Sequence, residues 1–142
     1  MRHIPPYALW LGHAGDGRDI RAVLDADILA VVDLALEEPP AHLTRELAYF
    51  RIPLNDGAGN PPWLLHIAVE TVAMLLRSNT PALVCCSAGL SRSPVIASAA
   101  ISVVSGQSGE DCLVQVAKAQ PCDVSPGLWR EIINMIANRP HE

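Results

Sequence analysis

Apolar residues along the chain fall into two kinds of block, short β-branched and aliphatic runs and longer stretches with helical spacing, and the two kinds alternate. The run "YALWLG", Tyr7 to Gly12, predicts a short strand ended by glycine, and "GRDIRAVLDAD", Gly17 to Asp27, has the spacing of a short helix. The unbroken run "ILAVVDLA", Ile28 to Ala35, suits a strand covered on both faces. "LAYFRIPL", Leu47 to Leu54, reads as the next strand. The loop "NDGAGNPP" follows, and its paired prolines fit the first turn of a helix over Trp63 to Arg77. Next come a buried strand at Ala82 to Cys86 and an almost wholly apolar helix from Ser93 to Ser105. A more amphipathic helix over Gly109 to Ala119 and a last one over Pro126 to Ala137 complete the pattern. Strands alternating with helices predict an α/β fold: a mainly parallel central sheet of about four or five strands, flanked by helices, with a helical C-terminal part. In such sheets, sites lie at the C-terminal ends of strands.

A length of 142 residues with 50% apolar composition fits one domain over residues 1–142. Ten Lys and Arg against fifteen Asp and Glu, with no basic run, argue against nucleic acid or an anionic membrane as partner. Any phosphate site must therefore be local. No apolar stretch approaches the roughly 20 residues of a bilayer span, and "MRHIPPYALW" lacks a leader's layout, so the chain reads as cytoplasmic. The four cysteines form no C-x-x-C pair, which points to reduced thiols, and paired Cys/His zinc ligands are missing. Neither a metal nor another cofactor is expected, and a Walker loop is absent. Oligomeric state is left open.

The chemistry concentrates in "CSAGLSRS", Cys86 to Ser93, between a predicted strand and a predicted helix. A loop in this position turns backbone N–H groups inward, and with the positive helix end they form an anion cradle over Ser87, Ala88, Gly89, Leu90 and Ser91. Gly89 permits the left-handed backbone such a loop needs. Arg92 offers a planar fork of donors for two phosphate oxygens. A free thiol with a pKa of about 8.5 is only a few per cent ionised at neutral pH, and these donors favour the nucleophilic thiolate on Cys86. Ser93 is either an N-cap or a hydroxyl that donates to the departing sulfur. Cys85 precedes the nucleophile directly, and side chains alternate along a strand, so it should face the opposite way and act as packing.

"CSAGLSRS" resembles the signature loop of the cysteine-dependent protein tyrosine phosphatase superfamily, in the "AG-x-SRS" form of its dual-specificity group. "LWLGHAGDGRDI", "FRIPLND" and "AKAQPCDVSPGLWREI" are similar to that group's first strand and turn, its acid-bearing segment and its C-terminal helical stretch, from about Leu9 to Ile136. The resemblance implies a phosphomonoesterase acting through a phosphocysteine on Cys86. Arg92 would bind phosphate, and an aspartate would protonate the leaving oxygen and then activate water. Asp56, thirty residues before Cys86, is the candidate acid, with Asp33 as the alternative. The partner implied is a phosphorylated protein, on phosphotyrosine and also phosphoserine or phosphothreonine, or a small phosphomonoester. Two departures stand out: Cys85 replaces the usual histidine, implying a less strongly activated thiolate, and Gln120 replaces an arginine, read here as a weaker surface charge.

Other residues receive blander readings. His66 reads as a packed or partly exposed helical histidine, and His3, His13 and His141 have no ligand spacing. Cys112 and Cys122 read as ordinary thiols. Trp63 and Trp129 are expected in the core, with a pocket wall as the alternative for Trp63. Two other classes of function remain: a non-catalytic phosphate-binding pseudophosphatase, and a thiol enzyme of the rhodanese or arsenate reductase type.

Overall fold

The alternation of strand and helix blocks closes into a single layered arrangement in the computed structural model, which describes residues 1–44 and 46–138. His141 lies outside the described residues. The elements are β1 (Arg2–His3), β2 (Leu9–Gly12), α1 (Ala14–Arg18), α2 (Ile20–Asp25), β3 (Ala30–Ala35), β4 (Ala48–Leu54), α3 (Pro62–Arg77), β5 (Ala82–Cys85), α4 (Arg92–Ser105), α5 (Gly109–Ala119) and α6 (Pro126–Ala137). The five strands form one sheet in the order β1-β2-β5-β3-β4. Only β1 runs antiparallel; β2, β5, β3 and β4 are parallel. The chain is thus the mainly parallel α/β fold expected, with helices on both faces and helical at its end.

Differences from the sequence reading have local causes. The single helix expected over Gly17 to Asp27 is two, because Asp19 ends α1 and caps α2, its side chain accepting from the Ala22 N–H. The strand at Tyr7 begins only at Leu9, and β1 was missed, since two residues carry no readable alternation. Trp63 was expected in the core but is 64% exposed. It lies on the first turn of α3, on the side away from Leu65, Ala68, Val69 and Val72, which face inward. Trp129 packs against the core as a partly buried side chain.

Side-chain alternation divides the interior into two clusters. Val32 and Val84 join Leu9, Leu11 and Leu54 in packing against α3 to α6, around an α4 that is buried from Arg92 to Ser102. Val31, Leu83 and Cys85 face the other way, against Val23, Ile28 and Leu47. Among the described residues, no helix is long and apolar enough to cross a membrane.

The adjacent cysteines follow the same alternation. Cys85 belongs to the smaller cluster on the α1 and α2 side, whereas Cys86 belongs to the larger one. Helix α1 sits so close to Cys85 that a Cβ on Gly17 would lie 2.8 Å from the Cys85 Sγ. This contact makes a two-way prediction. An exposed helical Gly→Ala ordinarily stabilises by about 1 kcal/mol, but Gly17→Ala should destabilise by about 1–3 kcal/mol through overpacking. Cys85→Ala in the same chain should recover most of that loss, as a denaturant double-mutant cycle would measure. Additive effects would mean that α1 moves aside freely.

Candidate active site

The loop from Cys86 to Arg92 begins where β5 stops and ends where α4 starts. Its first residue is fixed by the sheet, the Cys86 N–H donating to the Gly12 carbonyl at 3.4 Å, and the Ser87 carbonyl accepts from the Ala14 N–H at 3.1 Å. The loop then turns through Gly89 at φ +77°. A Cβ there would stand 2.9 Å from the Gly12 carbonyl carbon and oxygen, which are backbone atoms in a strand and cannot yield. Glycine is thus required twice over, by backbone angle and by space. With the chain so turned, the N–H groups of Ser87 through Ser91 donate to no acceptor among the described residues. Unpaired amides beside a helix N-terminus form an anion cradle.

Ser91, not Ser93, is the N-cap of α4, and it makes no side-chain cap bond. Its Oγ instead accepts from the Ser125 N–H at 2.9 Å, tying the loop to the start of α6. Ser93 lies inside the helix, fully buried, and its Oγ has no hydrogen-bond partner. The N-cap reading of Ser93 is therefore wrong, because the cap lies two residues earlier, at Ser91. Gln120 also departs from expectation. It is buried, and its Nε2 donates to the Gly89 carbonyl at 3.0 Å, so it braces the loop from α5 instead of sitting on the surface.

Arg92 is 3% exposed, and its partners are specific. Nη1 and Nη2 donate to the two carboxylate oxygens of Glu37 at 2.6 and 2.8 Å, and Nη1 also reaches the Leu54 carbonyl at 2.8 Å. Burial works against the charge, but the Glu37 hydrogen bonds and the nearby Cys86 and Asp56 raise the Arg92 pKa above its ordinary value. Reciprocally, the Arg92 hydrogen bond holds Glu37 below the usual carboxylate range. The Nε atom is buried without a partner. A guanidinium has one donor edge at Nη1 and Nη2 and another at Nε and Nη2. Glu37 takes the first, which leaves the second for an oxyanion.

Glu37 escaped the sequence reading, lying in the loop after β3 with no motif to mark it. Three side chains hold that loop. Arg51 donates to the Leu36 and Glu38 carbonyls, Arg18 to the Pro39 carbonyl, and the Tyr49 hydroxyl accepts from the Ala41 N–H. The loop after β4 has a clasp of its own. The Asn60 side chain accepts from the Asn55 N–H and donates to the carbonyls of Asn55 and Gly57. Glu131 of α6 accepts from the Gly59 N–H at 2.8 Å. Asp56 rides on this clasped loop.

Glu37, Asp56, Cys86, Ser87, Ala88, Leu90, Ser91, Arg92 and Asp123 line one cavity of about 350 Å³. Cys86, Asp56 and Arg92 thus meet in it, as expected, and Asp123 is a further carboxylate that no sequence pattern flagged. Asp33 does not reach it. It is paired in register with Cys85, accepts from the Tyr49 hydroxyl at 2.7 Å, and lines a separate small space on the α1 side. Burial first, then the Asp33 charge, push the Cys85 thiol far up, so Cys85 stays protonated. Cys112 and Cys122 are free thiols whose pKa values burial raises, and neither lines the cavity. His66 is exposed on α3, His3 contacts the Tyr7 carbonyl, and His13 caps α1. Trp63 is not among the lining residues. Among the described residues, no group of three His, Cys, Asp or Glu side chains could hold a metal ion.

Fold and loop together define a class: the chain has the fold of dual-specificity cysteine phosphatases. It superposes on human DUSP28 with a TM-score of 0.84 at 22% identity, over 96% of each chain. DUSP15 gives 0.77 at 24% identity, over 96% of this chain and 86% of that one. The human tyrosine phosphatase-like serine/threonine/tyrosine-interacting protein gives 0.82 at 19% identity, over 96% and 95%. No protein-family profile matches the chain, and no curated protein matches its sequence.

The Glu37–Arg92 pair yields a stability prediction. Glu37→Ala leaves a buried guanidinium short of acceptors, and the cost at pH 7 should be about 1 kcal/mol, at the low end because Glu37 is half-exposed and Leu54 keeps one bond. A carboxyl whose folded pKa is lowered contributes stability above its unfolded value of about 4.3 and loses it as pH falls through the folded value. The gap between wild type and Glu37→Ala should therefore be flat above about pH 5 and close in stronger acid. Urea melts at a series of pH values measure it; a gap independent of pH would mean the pair is not the cause.

Proposed function

We propose that the chain is a single catalytic domain, a metal-independent phosphatase that hydrolyses phosphomonoesters through a phosphocysteine on Cys86. The observation that carries this reading is the shared cavity, where unpaired amides, a cysteine and the free edge of a buried arginine converge. The amides of Ser87 to Ser91 and the Nε–Nη2 edge of Arg92 hold three phosphoryl oxygens, with the phosphorus over the Cys86 sulfur. Thiolate attack forms the S–P bond as the ester P–O bond breaks in line, and Asp56 protonates the departing oxygen. Water then attacks phosphorus, Asp56 takes its proton, and the sulfur leaves. Ser93 follows Arg92 in the chain, but its buried hydroxyl makes no hydrogen bond to the Cys86 sulfur and is not among the residues lining the cavity, so a donor role to the departing sulfur would require it to move.

Phosphotyrosine, and also phosphoserine or phosphothreonine, fit the chemistry of this site. A binding module without turnover is the second reading, favoured by one structural neighbour being titled phosphatase-like and interacting. The arsenate reductase type needs a thiol relay, and Cys86 is the one cysteine among the residues lining the cavity.

Release of phosphate from an aryl phosphate tests the reading directly. Cys86→Ser should abolish it in a folded protein, and Arg92→Lys should lower kcat/KM by about 10²-fold or more through loss of the fork. Asp56→Asn should slow alkyl phosphates by about 10²–10⁴-fold and activated aryl phosphates far less, since good leaving groups need little proton transfer. Retained activity in Cys86→Ser would mean another nucleophile, and no phosphate release from the wild-type chain would leave the binding reading. If Asp123→Asn, not Asp56→Asn, showed the leaving-group dependence, the acid would be Asp123.

A further inference from the structure

Three carbonyl groups of the cradle loop are held from outside, and each hold fixes where the next amide points. The Ser87 carbonyl accepts from the Ala14 N–H at 3.1 Å, and the Leu90 carbonyl accepts from the Asp123 N–H at 2.8 Å. Between them, the Gly89 carbonyl accepts from the Gln120 Nε2 at 3.0 Å. In a planar trans peptide the N–H points opposite to the carbonyl that precedes it. Holding these three carbonyls outward therefore turns the amides of Ala88, Leu90 and Ser91 the other way, and all three residues line the cavity with Cys86 and Arg92. Gly89 and Gln120 do not line it. They belong to a second pocket that has Ala88 and Leu90 in common with the first, so the loop is the wall between the two.

Two of the three holding groups are backbone amides; Gln120 is the one side chain among them. Helix α5 sets its position: its own N–H closes the helix on the Val116 carbonyl, its side chain is buried, and Pro121 stops the helix there. From this point residues 120–125 run beside the loop and meet Gly89, Leu90 and Ser91 in turn, through the Gln120 amide, the Asp123 N–H and the Ser125 N–H. Resting on the phosphatase reading, we infer that Gln120 is a positioning residue of this site, aiming the Leu90 amide at a phosphoryl oxygen by fixing the Gly89 carbonyl on the far side of the loop. Glycine at 89 has no side chain to restrict rotation of that peptide unit, so the constraint has to come from outside. Without the donor, the carbonyl loses its partner in a buried contact. An unpaired carbonyl there drives the peptide unit to rotate toward another donor, which takes the Leu90 amide off the phosphate.

The test reads oxyanion binding, turnover and stability together on the full chain. Gln120→Met removes the donor and keeps the length of the side chain. We expect it to weaken the Kd for tungstate and for inorganic phosphate by about 10-fold, the range for loss of one hydrogen bond to a charged group. The kcat/KM for an aryl phosphate should fall by a similar factor. Alkyl and aryl phosphates should slow equally, in contrast to Asp56→Asn, because the proton donor is untouched. Val116→Ala controls for a loosened α5: it removes buried volume from the same helix and should lower the urea midpoint without changing either Kd. If Gln120→Met does not fold, Gln120→Asn, one methylene too short for the contact, reads the same loss. Unchanged Kd values in a folded Gln120→Met or Gln120→Asn protein overturn the inference alone, as does an equal weakening in Val116→Ala at matched stability. Tungstate binding that depends on Gln120 in a chain that releases no phosphate upholds the positioning role and overturns the phosphatase reading. A wild-type chain that neither binds tungstate nor releases phosphate overturns both.

Discussion

A guanidinium that is almost wholly buried must find acceptors, and meeting that requirement for Arg92 organises the cradle end of the molecule. Three separate stretches of chain converge on it: the loop after β3 brings Glu37, the end of β4 brings the Leu54 carbonyl, and the cradle loop supplies the arginine itself. Each stretch leaves the sheet at a strand's C-terminal end, so the parallel arrangement places all three within reach. Around this centre the supporting bonds are mostly side chain to backbone. Arg51, Arg18 and Tyr49 hold the Glu37 loop, Asn60 closes the Asp56 loop, and Gln120 and Ser91 brace the cradle against the helices that follow. A site built this way is shaped before any ligand arrives, because its loops are already held from outside the cavity.

Close backbone approach is the second constraint. The cradle can lie against the end of β2 only because residue 89 has no Cβ, and α1 can lie against β5 only because residue 17 has none. The two glycines serve opposite faces of the sheet, and the adjacent cysteines do the same. Cys86 opens the cradle above one cluster, and Cys85 fills the other, beneath α1. The doubled cysteine is thus a consequence of strand alternation at the edge of the site. The space left for Cys85 also bears on what replaces histidine there. With the sulfur at the limit of what Gly17 allows, a larger ring at the same position would require α1 to shift outward.

What the chain revealed in advance followed from short-range rules. Strand and helix blocks were legible because burial imposes a period, and α3, α5 and α6 lie within a residue of where that period and their proline or glycine starts put them. Cys86, Gly89 and Arg92 were legible because one loop holds them at fixed spacing. Glu37, Asn60, Gln120 and Asp123 were not, and the reason is common to all four. Glu37 and Gln120 act through side-chain contacts across the fold, Asp123 is placed by its backbone bond to Leu90, and Asn60 closes its own loop on Asn55 and Gly57; an Asn, Gln, Asp or Glu in a loop of no fixed pattern looks the same whether or not it has a partner. Trp63 failed in the other direction: hydrophobicity alone does not say which side of a helix faces the sheet. Asp33 and Asp56 each follow a β-branched or aliphatic run in the sequence, but Asp33 lies inside β3 in register with Cys85, whereas Asp56 lies in the loop beyond the end of β4.

An acidic chain with an anion cradle looks contradictory until the ranges of the forces are compared. Amide dipoles in the cradle act over hydrogen-bond distances, so an anion placed there would meet them at closer range than most of the charges that make up the net −5. Carboxylates at the rim act over roughly a Debye length, about 8–10 Å at ordinary ionic strength, which spans the residues on either side of a bound phosphate. On the proposed function, the inner shell would meet the phosphoryl group itself and the outer shell whatever surrounds it. Had Arg92 been left without Glu37, its charge would have extended to the rim and blurred that distinction. The ion pair fixes the orientation of the guanidinium and offsets its charge, which leaves the Nε edge as a donor whose reach is set by hydrogen-bond geometry.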